Sequence, residues 1–195
     1  MEKANREIRL AELRTAADPG EEMIVEGYAL VFDQPTVLYE YNGIKYKEVI
    51  ARGALDGADL SDVPFKYNHS DDVMIMARTR NKTLELRVDD KGLAIRARLA
   101  PTTAGKDLYQ LIKRGDIDKM SFAFTVTEDS YDRETHTRTI LKIKKLYDVA
   151  AVDMPAYEQT SISARRFFEL ESEKEQALER ARGLKIKQLI IRTYL

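Results

Sequence analysis

The stretch from residue 121 to 154 constrains the fold more than any other part of the chain. Apolar and polar residues alternate along both of its halves, with a polar break at residues 132–135 between them. That pattern predicts two long strands joined as a hairpin. Phe122, Phe124 and Val126 then fall on one face of the first strand, and Ser121, Ala123 and Thr125 on the other. Shorter strand patterns lie upstream. Residues 23–32 are rich in β-branched and apolar side chains and end in the turn signal Asp33-Gln34-Pro35. Residues 45–50 form another such run. Residues 84–88 and 93–99 flank the hairpin signal Asp89-Asp90-Lys91-Gly92.

One helix is well marked. Thr102 or Thr103 caps it, Leu108, Leu111 and Ile112 form its apolar stripe, and Gly115 follows its last turn. A second helix is expected from about residue 165 to 182, with Phe167, Leu170, Leu178 and Ala181 near one face and Gly183 after it. Many short strands with one central helix predict an α+β, mostly β domain: a barrel-like antiparallel sheet with surrounding helices.

Composition narrows the chemistry. The 195 residues include no cysteine, which excludes thiol nucleophiles, thiolate-bound zinc and disulfides. No apolar run approaches the ~20 residues of a membrane span, and the first ten residues lack the apolar stretch of a signal peptide. A soluble, intracellular protein is expected, with no membrane partner. A net charge of -1 gives no global field for nucleic acid. Residues 165–195 nevertheless carry eight lysines and arginines against five acids. This tail is either a solvated end, a segment that docks on something acidic, or one that is removed. No phosphate-binding loop or dinucleotide fingerprint is present, so no cofactor is expected.

The chain has only two histidines. His136 sits at the expected hairpin tip, where a merely polar role is the simpler reading. His69 ends a short apolar strand, Phe65-Lys66-Tyr67, and opens a polar loop. Such a junction suits a functional group held by a rigid scaffold. Together with Asp71 and Asp72, and with Asp89 and Asp90 further off, His69 is also a weak metal candidate. Ser121 lies on a strand face lined by small residues. Asp148 interrupts the apolar run Leu146-Tyr147-Asp148-Val149 and is costly there unless it is paired. Asp153, just before Met154-Pro155, is the neighbour that could replace it, although a turn or cap role suits it better.

Several stretches resemble the prohead protease family of tailed bacteriophages. They are residues 26–32 (Glu26-Gly27-Tyr28 onward), Glu48-Val49-Ile50-Ala51-Arg52-Gly53, Asn68-His69-Ser70, and the helix from Gly105 to Gly115 leading to Met120-Ser121-Phe122-Ala123-Phe124. Last come Leu146-Tyr147-Asp148-Val149 and Met154-Pro155-Ala156. The resemblance implies a fold like herpesvirus assemblin and a serine endopeptidase of capsid maturation. His69, Ser121 and Asp148 fall at the family's catalytic positions, the last usually glutamate. It also implies action on the major capsid protein and its scaffold segment, and on the protease itself, inside the immature capsid (prohead) in the host cytoplasm or from a prophage. A homo-oligomer is compatible by analogy. On this reading residues 1–165 are the protease domain and 166–195 a C-terminal helix and basic tail, either packed or processed. Two departures stand out: Ala77 precedes Arg78-Thr79 where a glycine is frequent, and Ala150 follows the acid where serine is frequent. The competing reading is a non-enzymatic β-barrel scaffold or binding component of the prohead.

Overall fold

A computed structural model describes residues 6–16, 22–153, 167–174 and 176–185. Ten strands form one open, mixed sheet in the order β3-β4-β10-β9-β1-β2-β8-β7, with β5 and β6 attached beside β10. The strands are β1 (Glu7–Thr15), β2 (Ile24–Val31), β3 (Thr36–Tyr41), β4 (Ile44–Ile50), β5 (Pro64–Tyr67), β6 (Ala77–Arg78), β7 (Leu84–Val88), β8 (Gly92–Arg98), β9 (Lys119–Asp132) and β10 (Thr137–Val152). The helix α1 spans Thr103–Arg114.

The long hairpin is β9–β10, and it organises the rest. One edge of β10 pairs with β9 along nearly its whole length. Its other edge is shared by two strands, both parallel to it: β4 along Thr137–Ile140 and β5 along Val149–Ala151. The sheet is therefore mixed, where the alternation alone led us to expect antiparallel pairing throughout. Hydrophobic period reports which face of a strand is buried and says little about the direction of its neighbours. The α+β, mostly β class holds.

α1 has the ends its sequence specifies. The Thr102 hydroxyl accepts from the Gly105 amide, and Gly115 closes the helix in the left-handed region at φ 84°. Leu108 and Ile112 are buried, while Leu111 stays partly exposed. Residues 167–174 and 176–185 are helical, and the helix passes through Gly183 instead of ending before it. Its buried anchor is Phe168, enclosed by Tyr39, Tyr46 and Tyr131, whereas Leu170 and Leu178 are exposed. The expected start at residue 165, the Met154-Pro155-Ala156 motif and the basic stretch from 186 onward lie outside the described residues.

Two strands carry no clear sequence signal, β1 and β3. In β1 the inward-facing positions are Glu7 and Arg9 before Ala11 and Leu13, so only the end of the strand shows an apolar face. These charges are buried as a network. Arg9 donates to Glu7 at 2.7 Å and to Glu48 of β4, and Arg138 of β10 donates to the same Glu7 oxygen at 2.7 Å and to Asp129 of β9. Burial alone would raise the Glu7 carboxyl. The hydrogen bond from Arg138 and the charges of Arg9 and Arg138 overcome it and hold Glu7 below its ordinary value.

Removing one member of such a network leaves an unmatched buried charge. Glu48→Gln is expected to lower unfolding free energy by about 3–5 kcal/mol, read from urea denaturation at neutral pH. A carboxyl held low when folded stabilises at pH above its unfolded value and loses that contribution as pH falls through its folded value. Wild type should therefore lose stability on acidification below the ordinary glutamate range.

Candidate active site

The strand register brings the three candidate residues to one patch. Ser121 on β9 lies opposite Ala150 of β10, and Ala123 lies opposite Asp148. Residues directly opposite share a face, so Ser121, Ala123, Asp148 and Ala150 line one side of the hairpin. Phe122 and Phe124 stack on the other side with ring centroids 5.1 Å apart, buried with Leu146 and Val149.

Asp148 reaches this side because of a β-bulge. Leu146 pairs with Phe124, but the next strand partners are Asp148 and Ala123, with Tyr147 as the extra residue. Regular pairing would set Asp148 opposite Phe122, inside the apolar core. The extra residue re-phases the strand and turns the carboxylate toward Ser121.

His69 arrives from β5. Tyr67 pairs with Ala151, and the Asn68 amide donates to the Ala151 carbonyl at 2.9 Å. The chain then reverses in a tight turn closed by the Ser70 amide on the Tyr67 carbonyl at 3.0 Å. Its two central residues, Asn68 and His69, have φ of 49° and 54°. Both central angles are positive, as a type I′ turn requires, and asparagine tolerates this far better than histidine. Asp153 clamps the turn. It accepts from the Tyr67 hydroxyl at 2.5 Å and from Asn68 Nδ2 at 2.9 Å, and its own amide donates to Asn68 Oδ1 at 3.2 Å. The hydrogen bond to Asp153, reinforced by partial burial and the carboxylate charge, raises the Tyr67 phenol above its ordinary value.

Within this frame His69 Nδ1 contacts Asp148 Oδ1. The imidazole Nε2 is buried without a hydrogen-bond partner, and so is the Ser121 hydroxyl, which has no solvent exposure. The Thr125 hydroxyl, on the same face four residues further along β9, is also buried and unpartnered. Lys66 of β5, the strand partner of Ala150, places its ammonium against Asp71 and 4.0 Å from Asp148 Oδ2. That hydrogen bond from Lys66 holds the Asp71 carboxyl low.

The remaining sequence candidates lie elsewhere. His136 is at the hairpin tip, where its Nδ1 is 3.0 Å from the Tyr131 hydroxyl and its ring packs near Tyr46. Asp89 accepts from the Tyr28 hydroxyl and caps the β7–β8 turn. No cluster of three or more potential metal ligands occurs among the described residues. Ala150, one of the two departures from the family pattern, faces Ser121 directly across the hairpin, so it borders the candidate nucleophile. The reading of the sequence gave no weight to Lys66. An isolated lysine in a short strand carries no signal until its neighbours are known.

An imidazole bonded to a carboxylate through one nitrogen, and a buried serine hydroxyl on the same side of the hairpin as that carboxylate, are the groups that nucleophilic hydrolysis uses. The comparisons bear on the family and the fold. Residues 11–175 match the family described as Caudovirus prohead serine protease, and the chain belongs to that family. It is accordingly a serine protease of the tailed-phage prohead class. The solved structure of the bacteriophage T4 capsid assembly protease, gp21, superposes with a TM-score of 0.50 at 16% identity, covering 77% of this chain and 99% of that one. At that identity the likeness establishes the fold. No curated protein matches the chain.

Deleting the Asp153 carboxylate should loosen the histidine turn. Asp153→Ala is expected to lower stability by about 1–2 kcal/mol. In hydrogen exchange the Ser70 amide should lose protection while amides in the middle of β9 keep theirs.

Proposed function

We propose that Ser121, His69 and Asp148 are the catalytic residues, and that the enzyme cleaves the capsid protein and its scaffold segment inside the prohead. The observation that carries this is the pairing of His69 Nδ1 with Asp148, with Nε2 and the Ser121 hydroxyl both left without a partner. Asp148 fixes the tautomer that carries its proton on Nδ1, leaving the Nε2 lone pair free. As Ser121 Oγ attacks the peptide carbonyl carbon, its proton passes to Nε2. His69 then delivers that proton to the departing amine, and the C–N bond breaks to leave an acyl-serine. Water, deprotonated by His69 in turn, releases the acid and restores the hydroxyl. Asp153 is the poorer choice of third residue, because its carboxylate is engaged by Tyr67 and Asn68.

Capsid protein and scaffold as substrates follow from the family's prohead role. Residues 1–165 would suffice for the chemistry, with 166–195 as a peripheral helix and basic tail. Self-cleavage within that tail would fit its change of charge.

Co-expression with the major capsid protein of the same genome tests the reading. Wild type should shorten the coat protein, and Ser121→Ala should leave it full length. Cleavage by both would remove Ser121 from the mechanism. Asp148→Asn should lower kcat by about 10⁴-fold, the order expected when the histidine loses its tautomer partner. Mass spectrometry of wild type beside Ser121→Ala reads self-processing, and an intact tail in both would exclude it.

A further inference from the structure

We infer that Lys66 is a positioning residue of the active site: its ammonium lies beside the buried Asp148 carboxylate and opposes a second positive charge on His69, the group that must accept a proton. The inference rests on the catalytic reading above and extends it to a residue outside the serine–histidine–acid set.

The geometry is specific. Asp148 is only 4% exposed, in a strand otherwise lined by Val149, Ala150 and Ala151. A carboxylate withdrawn from water this far needs an opposite charge. Its Oδ1 faces His69 Nδ1 and its Oδ2 faces Lys66 Nζ at 4.0 Å. Lys66 is itself largely enclosed, with 14% of its side chain exposed, and the parallel register with Ala150 fixes it on the Ser121 side.

If Asp148 and His69 were alone, the cheapest way to neutralise the carboxylate would be to protonate the imidazole. A protonated imidazole cannot act as a base. Lys66, shared with the exposed Asp71, gives the buried carboxylate a second cationic neighbour, and its ammonium opposes a further positive charge on His69. Among the described residues, the other charged or titratable groups around the pair are few. Asp71, beyond the turn, engages Lys66 from the solvent side. Arg6, before β1, stacks on Tyr147 with its guanidinium carbon 4.0 Å from the ring centroid, and its charge reaches Asp71. Tyr147 is the bulge residue next to Asp148. Asp153 lies on the far side of the turn, bound to Tyr67 and Asn68. Of these, Lys66 is the cation within 4.0 Å of the Asp148 carboxylate.

The chain's two histidines make a direct test practical. The full-length protein carrying Ser121→Ala, which prevents self-processing and separates the test from catalysis, is labelled with ¹⁵N. Its imidazole resonances are followed against pH, with His69 distinguished from His136 by comparison with His136→Gln. Adding Lys66→Gln should move the His69 titration midpoint upward by about one pH unit, the order expected for one charge at this range in a partly buried site. Lys66→Arg should leave it within about 0.3 unit. The chain has no native cysteine. Lys66→Cys can therefore be aminoethylated at that one position, and the modification should return a raised midpoint to its starting value. This second route also covers poor folding of the glutamine variant.

An unchanged midpoint in Lys66→Gln, or an arginine or aminoethyl variant as displaced as the neutral ones, would overturn the inference. A role in packing alone would leave Lys66→Arg as displaced as Lys66→Gln. In the active enzyme, coat-protein cleavage by Lys66→Gln should lose kcat at neutral pH with little change in KM. If the midpoint shifts as stated while Ser121→Ala still cleaves coat protein, the charge relation stands and the catalytic assignment falls.

Discussion

Each edge of a β-strand can satisfy its hydrogen bonds with only one neighbour at a time, and β10 resolves this constraint by being long. At 16 residues it has room for β9 along one edge and for β4 and β5 in succession along the other. The segment between β4 and β5 is held to the same edge by the Asp59–Lys145 bridge. Every catalytic candidate reaches the site through this strand. Asp148 belongs to it, Ser121 is registered on its antiparallel side, and His69 is delivered by its parallel partner. A slip of one residue on either edge would send the corresponding side chain to the opposite face.

Charge burial is handled in the same way at both ends of the hairpin. Near the tip, Glu7, Glu48 and Asp129 are matched by Arg9, whose planar guanidinium binds two of these carboxylates, and Arg138, whose guanidinium reaches all three. Near the open ends, the single buried carboxylate among the described residues is Asp148, and it meets one imidazole and one ammonium. The first cluster is closed and fixes how β1, β4, β9 and β10 meet. The second leaves a nitrogen and a hydroxyl unsatisfied, which makes it suited to receiving a substrate.

What the sequence disclosed follows from what local patterns can encode. The caps at Thr102 and Gly115, the β7–β8 turn at Asp89 and the faces of Phe122 and Ser121 are all set by neighbours within a few residues, and each was legible. β1 was not, because Glu7 and Arg9 stand where apolar residues would mark a buried face, and their partners on other strands are 39 to 131 residues away. The bulge at Tyr147 leaves no mark in an otherwise apolar run, although it decides where Asp148 points. Lys66 was invisible for the same reason: its role is defined by a strand pairing. Gly183 was weighed as a stop, yet an isolated glycine only weakens a helix by about 1 kcal/mol, and the helix continues through it. Of the active-site geometry, the face of Ser121 and the need for a partner at Asp148 were legible, whereas the positive-φ turn at Asn68 and His69 was not.

That turn sets folding and chemistry at odds. His69 holds a left-handed backbone angle that glycine or asparagine would adopt with less strain, at a saving of about 1 kcal/mol or more. The replacements most comfortable for the backbone at this position are thus ones that remove the proposed base. A lineage released from the need to cut protein would drift toward them readily, keeping the sheet, the bulge and the charge clusters intact. Sterile descendants of such an enzyme would be recognisable by a relaxed residue at one corner of an otherwise unaltered frame, and some would outlast their active ancestors on heating.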